Sequence, residues 1–211
     1  MKFTILSMVT LAVSAAASPL VARAAPTSID EALEQVNGLV SGGDLVTLLE
    51  GALNSIQGHT GAINSTLSQV NSNAISQEDG SSQLAAPIDG LKSDLTKLVS
   101  GLNANPTSGI TASQDEVTQV VSLVKALLVE LVNTAKSIAS APGQAAPLTA
   151  LLDSVFALLA SILSTLVGLL DVVASPLVDL LTSIVPSLKD GDILPLVSPV
   201  LGLITSLFRG H

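Results

Sequence analysis

The chain has 211 residues, of which 48% are apolar and only 12% charged, so it can bury a core and wholesale disorder is excluded. The absence of Cys rules out disulfides, thiolate metal sites and thiol catalysis, and three Phe with no Trp or Tyr leave Leu, Val, Ile and Ala to fill the interior. Seventeen acids against eight bases, a net charge of −9, argue against nucleic acid or an anionic membrane as partner, because both reward clustered Lys and Arg.

The first segment reads as an address. Lys2 supplies a positive charge, Thr4 to Val13 is an apolar run, and Ala15, Ala16 and Ala17 offer small residues for a signal peptidase. This predicts a secretory signal cleaved after Ala17, with a short propeptide ending at Arg23. Removal of residues 1–23 leaves six bases against the same 17 acids. On an exported chain Asn64-Ser65-Thr66 is a glycosylation sequon, which predicts an exposed Asn64.

Two further regions follow, an amphipathic helical one at 24–146 and a strongly apolar one at 147–211. Ser28-x-x-Glu31 is a capping box that predicts a helix to about Val40, with Gly42-Gly43 as a break and Asp44 as the next cap. Leu45, Leu49, Ala52, Ile56, His59, Ile63, Thr66 and Val70 recur at alternating spacings of four and three, the seam of a packed helix. Gly51, Gly58 and Gly61 predict a break near His59. Polar residues 71–86 read as a connection, and Pro87 as the first position of a helix with Ile88, Leu91, Leu95, Leu98 and Leu102 inward and Lys92 and Lys97 outward. Ser113-x-x-Glu116 repeats the capping box ahead of a stripe of Val117, Val120, Val124, Leu127, Leu131 and Ile138, ended by Pro142-Gly143.

Beyond Pro147 the pattern changes. Leu, Ile, Val and Phe fill 32 of the 61 positions from Leu148 to Phe208, against 22 of 79 from Thr27 to Asn105. Residues 154–170 carry no charge, but acidic flanks, no nearby Lys or Arg and no interfacial aromatics weigh against a membrane span. Small or polar residues at Asp153, Ala157, Ser161, Ser164, Gly168, Asp171 and Ser175 form one narrow stripe, and the rest of the circumference is apolar. Such a helix is either central in a bundle or presents apolar surface to something outside. Residues 175–184 then align with 198–207, five of ten identical, and each copy starts with Ser-Pro and reads as a short amphipathic helix.

Chemistry-bearing residues are sparse. His211 is terminal, and His59 on an apolar seam reads as a satisfied, partly buried side chain. No Gly-x-Ser-x-Gly elbow holds a nucleophile, and the paired acids at 30–31 and 115–116 fall in first helical turns, where the helix dipole favours them. Asp190-Gly191-Asp192 lacks the further oxygen ligands of a Ca²⁺ loop. No catalytic residue, metal site or cofactor is assigned.

The segment from Ile110 to Ser140, with its Ile110-Thr111-Ala112-Ser113-Gln114-Asp115-Glu116 start, together with the Ile88 to Leu102 stripe, resembles the fungal hydrophobic surface-binding protein family. The resemblance covers about half of the chain after residue 23. It implies a secreted, cell-wall-associated, all-helical protein that adsorbs to hydrophobic surfaces or cell-wall material, sometimes recruiting a secreted hydrolase. The region after Pro147 is more apolar than the family pattern.

The reading adopted is all-α: a bundle of long amphipathic helices with a very apolar C-terminal set of shorter helices, in a secreted glycoprotein without catalytic activity. The contact residues assigned to the apolar surface are Phe156, Leu177, Leu180, Leu181, Ile184, Val200, Leu203, Ile204, Leu207 and Phe208. Two alternatives stand beside it: a helical carrier of a lipid or other apolar ligand, and a purely structural bundle that associates with copies of itself.

Overall fold

Four serines open the first four helices of the computed structural model, which describes residues 25–36, 39, 41–104, 110–141, 145–169 and 202. The helices are α1 (Ile29–Gln35), α2 (Gly42–Asn71), α3 (Gln77–Asn103), α4 (Gln114–Ser140) and α5 (Ala145–Leu169). The side chains of Ser28, Ser41, Ser76 and Ser113 each accept from the backbone N–H three residues on, and each of those four residues is acidic. A cap of this kind satisfies an N–H that the helix leaves unpaired and sets negative charge at the positive end of the dipole. No strand is present among the described residues, and the fold is all-α.

Several boundaries differ from the sequence expectation. α1 ends at Gln35 rather than near Val40, because Val36 is already extended. Gly42-Gly43 is the first turn of α2 rather than a break, and Ser41 is its cap, with Asp44 completing the capping box. Glycine is required at 42 by close approach: a Cβ there would lie 2.8 Å from that of Ala112. α2 continues unbroken past His59. Gly58 and Gly61 are exposed with open space around them, while Ile56, Thr60 and Ile63 on the inner face are fully buried and hold the helix together.

The connection expected over 71–86 shrinks to residues 72–76. Asn73 takes a left-handed φ of 56°, and the Ala74 N–H reaches back to the Gln69 carbonyl at 2.9 Å while that of Asn73 reaches Val70 at 3.0 Å. This closes α2 in a Schellman turn and folds α3 back along it. Pro87 therefore lies inside α3 rather than at its start. The carbonyl it cannot bond belongs to Gln83, an exposed residue that water can reach.

α2 packs along α1, α3 and α4, and α5 packs along α3. The Gly42 N–H bonds the Thr111 carbonyl at 3.1 Å and the Ile110 N–H bonds that of Leu169 at 3.2 Å, so the starts of α2 and α4 and the end of α5 meet at one end of the bundle. The molecule is thus two antiparallel hairpins, α2/α3 and α4/α5, stacked so that α4 runs along α2 and α5 along α3. α4 and α5, although consecutive, touch only lightly.

The predicted inward stripes of α2, α3 and α4 are all buried apart from half-buried His59. Apart from His59, Thr66 and Val70, they join one core with Leu152, Val155, Phe156, Leu159, Ile162, Leu163, Leu166 and Leu169 of α5. The first helix of the expected apolar region thus shares the core of the amphipathic one. Its predicted small and polar stripe, Asp153, Ala157, Ser161, Ser164 and Gly168, is the solvent face.

Candidate functional site

A connected polar cluster spans α1, α2 and α3. Ser55 and His59 stand one turn apart on α2, and both meet the same carboxylate oxygen of Asp94 on α3. Ser55 Oγ donates to Asp94 Oδ2 at 2.6 Å, and His59 Nε2 lies 3.0 Å from that atom. Lys97 Nζ sits 3.6 Å from Asp94 Oδ1 and donates to Asp30 Oδ2 of α1 at 2.8 Å. Lys97, expected to face outward, is therefore a tie between helices, and its hydrogen bond to Asp30 raises its pKa.

Asp94 is 6% exposed, and a buried carboxylate is costly unless donors surround it. Its three partners meet that requirement. Space for the imidazole comes from Gly90, where a Cβ would stand 2.7 Å from His59 Nδ1. The chemical order matters. In nucleophilic catalysis the imidazole lies between hydroxyl and carboxylate so that it can take the hydroxyl proton. Here the carboxylate lies between the two, and the Ser55 proton points at Asp94. The arrangement clamps α2 to α3.

A second polar link joins α2 to α4. Buried Thr60 Oγ1 lies within hydrogen-bond reach of both Glu130 Oε1 and the Gln57 carbonyl, and its single proton serves one of the two at a time. No group of three or more His, Asp or Glu side chains able to hold a metal occurs among the described residues.

Asn64 is exposed on α2, as the sequon predicted. It borders an open groove of about 500 Å³ between the last turns of α2 and α4. Ser68 and Asn71 line one side, Lys136, Ser137 and Ser140 the other, and buried Leu67 forms the floor.

Phe156, assigned to the apolar contact surface, is instead a core residue at 1% exposure. It lies on the face of α5 opposite the small-residue stripe, where the bundle needs its largest side chain. The remaining assigned contacts, Leu177, Leu180, Leu181, Ile184, Val200, Leu203, Ile204, Leu207 and Phe208, lie outside the described residues, as do the signal segment, the Asp190-Gly191-Asp192 turn and the repeat except Gly202.

α4 and the Leu152–Leu169 part of α5 are long and apolar enough to cross a bilayer by length and composition alone. In each, 44% of the most apolar window is buried inside the bundle. Sequence reasoning missed Asp94 because its hydrogen-bonding partners Ser55 and His59 are 39 and 35 positions away. The one available signal was a carboxylate at 94 beside Leu91, Leu95 and Leu98 on the inward face. Comparisons with models of known families, with curated proteins and with solved structures return no match.

Proposed function

We propose that this is an exported, non-catalytic surface-active protein that adsorbs to hydrophobic surfaces or cell-wall material, with the α1–α5 bundle as its acidic body and the chain beyond Leu169 as its adhesive part. One observation carries the reading. The 42 positions from 170 to 211 hold 20 Leu, Ile, Val or Phe, an apolar share above that of the amphipathic helices before them. Burying one such side chain is worth about 2 kcal/mol, so a few per repeat unit hold a chain at an interface after ordering costs are subtracted. The resemblance of Ile110 to Ser140 to the hydrophobic surface-binding family supports the same role. The Ser55–Asp94–His59 order, unsuited to a nucleophile relay, supports a role without catalysis.

The test is adsorption of the secreted full-length chain to hydrophobic beads together with pendant-drop tensiometry. Wild type should adsorb and lower surface tension, and Leu180→Ser with Leu181→Ser, Leu203→Ser and Ile204→Ser should weaken adsorption at least tenfold. Wild-type protein inactive in both assays would end the proposal.

A second reading, a carrier enclosing a lipid, has one observation in its favour: the light contact between apolar α4 and α5. Native mass spectrometry after incubation with fatty acid or phospholipid decides it, and a bare protein mass eliminates the carrier.

A further inference from the structure

The sequon sits in the interior of a 30-residue helix. At 3.6 residues per turn, positions two apart point about 200° away from each other. Asn64 accordingly faces solvent, while Thr66 faces the core at 7% exposure. A glycosyltransferase that recognises Asn-x-Thr must engage both side chains of one accessible, non-helical segment. The folded bundle presents only one of them.

We infer that Asn64 is an N-glycosylation site readable only before α2 forms, and that the groove between α2 and α4 seats the first sugars of the glycan; this rests on the export reading. In the transfer, the C1–O bond of a polyprenyl-diphosphate oligosaccharide breaks and a bond forms from C1 to Asn64 Nδ2. The amide proton leaves to the enzyme's base and the polyprenyl diphosphate departs. Once attached, the sugar meets a groove whose size falls within the range of small-ligand sites. Its hydroxyl and N-acetyl groups find the hydroxyls of Ser68 and Ser140, the Asn71 amide and the Lys136 ammonium within reach, over the apolar floor of Leu67. The glycan therefore fits the native state without disturbing the core face of α2.

The experiment compares modification during and after folding. Full-length chain translated with microsomes should become protease-protected and gain the mobility of one glycan, which Asn64→Gln and Thr66→Val each abolish. Purified, folded, unglycosylated protein offered to the same transferase and lipid-linked donor should remain unmodified. The core variant Ile56→Ala, which loosens α2, should be modified at least tenfold faster under those conditions. Enzymatic removal of the glycan should be at least tenfold slower from the native protein than from the denatured one. Import without a glycan overturns the site, and failure of import overturns both site and export. Folded wild type modified as fast as Ile56→Ala overturns the timing, and equal deglycosylation rates overturn the seat in the groove.

Discussion

The ring of His59 occupies the space in which a side chain at Gly90 would begin. A Cβ added there would lie 2.7 Å from Nδ1, so the backbone of α3 and the imidazole of α2 are in direct contact. A Gly-to-Ala change in a helix interior ordinarily stabilises by roughly 0.5–1 kcal/mol. Here Gly90→Ala must displace the ring and break its bond to Asp94, so a net loss of about 1–2 kcal/mol is expected in urea denaturation. In a His59→Ala background the same substitution should become stabilising. Equal losses in both backgrounds would refute the contact.

Asp94 gathers Ser55, His59 and Lys97. Asp94→Ala should cost about 2–4 kcal/mol, since it strands a half-buried imidazole and a hydroxyl as well as removing a buried acceptor. Asp94→Asn keeps the shape and should cost less. The check is chemical denaturation near neutral pH, where a loss below about 0.5 kcal/mol for Asp94→Ala would show the cluster to be a surface decoration.

Glu116 serves two helix starts. Its Oε2 accepts from the Ser113 N–H at 2.7 Å, and Cβ atoms built at Gly42 and Gly43 would lie 2.9 and 3.3 Å from its two oxygens. The carboxylate is thus set against the positive ends of α4 and α2 together. Glu116→Ala is expected to destabilise by about 2 kcal/mol and Glu116→Gln by about 1. High salt should narrow the Gln deficit, and a deficit unmoved by salt would assign the effect to hydrogen-bond shape alone.

Much of this bundle was legible in 3.6-residue periodicity. The seams of α2, α3 and α4 and the solvent stripe of α5 came from spacing alone, because a helix in a bundle writes its buried face into its sequence. The first ten residues of α3 were not legible. Their Ser, Gln and Gly content suggested a connection and Pro87 a start, although Ser76-x-x-Asp79 has the Ser-x-x-acid pattern that marks the helix starts at Ser28 and Ser113. The reciprocal box predicted at both forms only at Ser113, because Glu31 turns to the Thr27 N–H instead. Gly58 and Gly61 misled in the other direction, since glycine lowers helix propensity while the packing of Ile56 and Ile63 decides the outcome. Asp94 shows the limit of local reading, because two of its three partners, Ser55 and His59, lie on another helix. Phe156 shows a different one: a helix apolar over most of its circumference has the same sequence whether it meets a core or a foreign surface.

Phe156 separates those two roles experimentally. Phe156→Ala leaves a cavity in the core shared by α3 and α5 and should cost about 3–5 kcal/mol in a denaturant melt. Bead adsorption by the fraction still folded should stay close to that of wild type. A large adsorption defect with unchanged stability would return Phe156 to the contact surface.

Glu50 carries a pH signature. Partial burial on α2 raises its pKa above the ordinary value of 4.5, with desolvation as the cause. A carboxyl raised in the folded state favours folding while protonated, so its contribution is complete below about pH 4.5 and is lost as pH climbs through the folded value. At neutral pH the charge is therefore a burden. Glu50→Gln, which keeps the shape without the charge, should raise the melting temperature at pH 7, and the advantage should shrink as pH falls through the raised folded value and be gone below about 4.5. Paired thermal melts from pH 3 to 8 measure this. An advantage that grows toward acid would mean that Glu50 is held by an interaction favouring its charged form, and the desolvation account would fail.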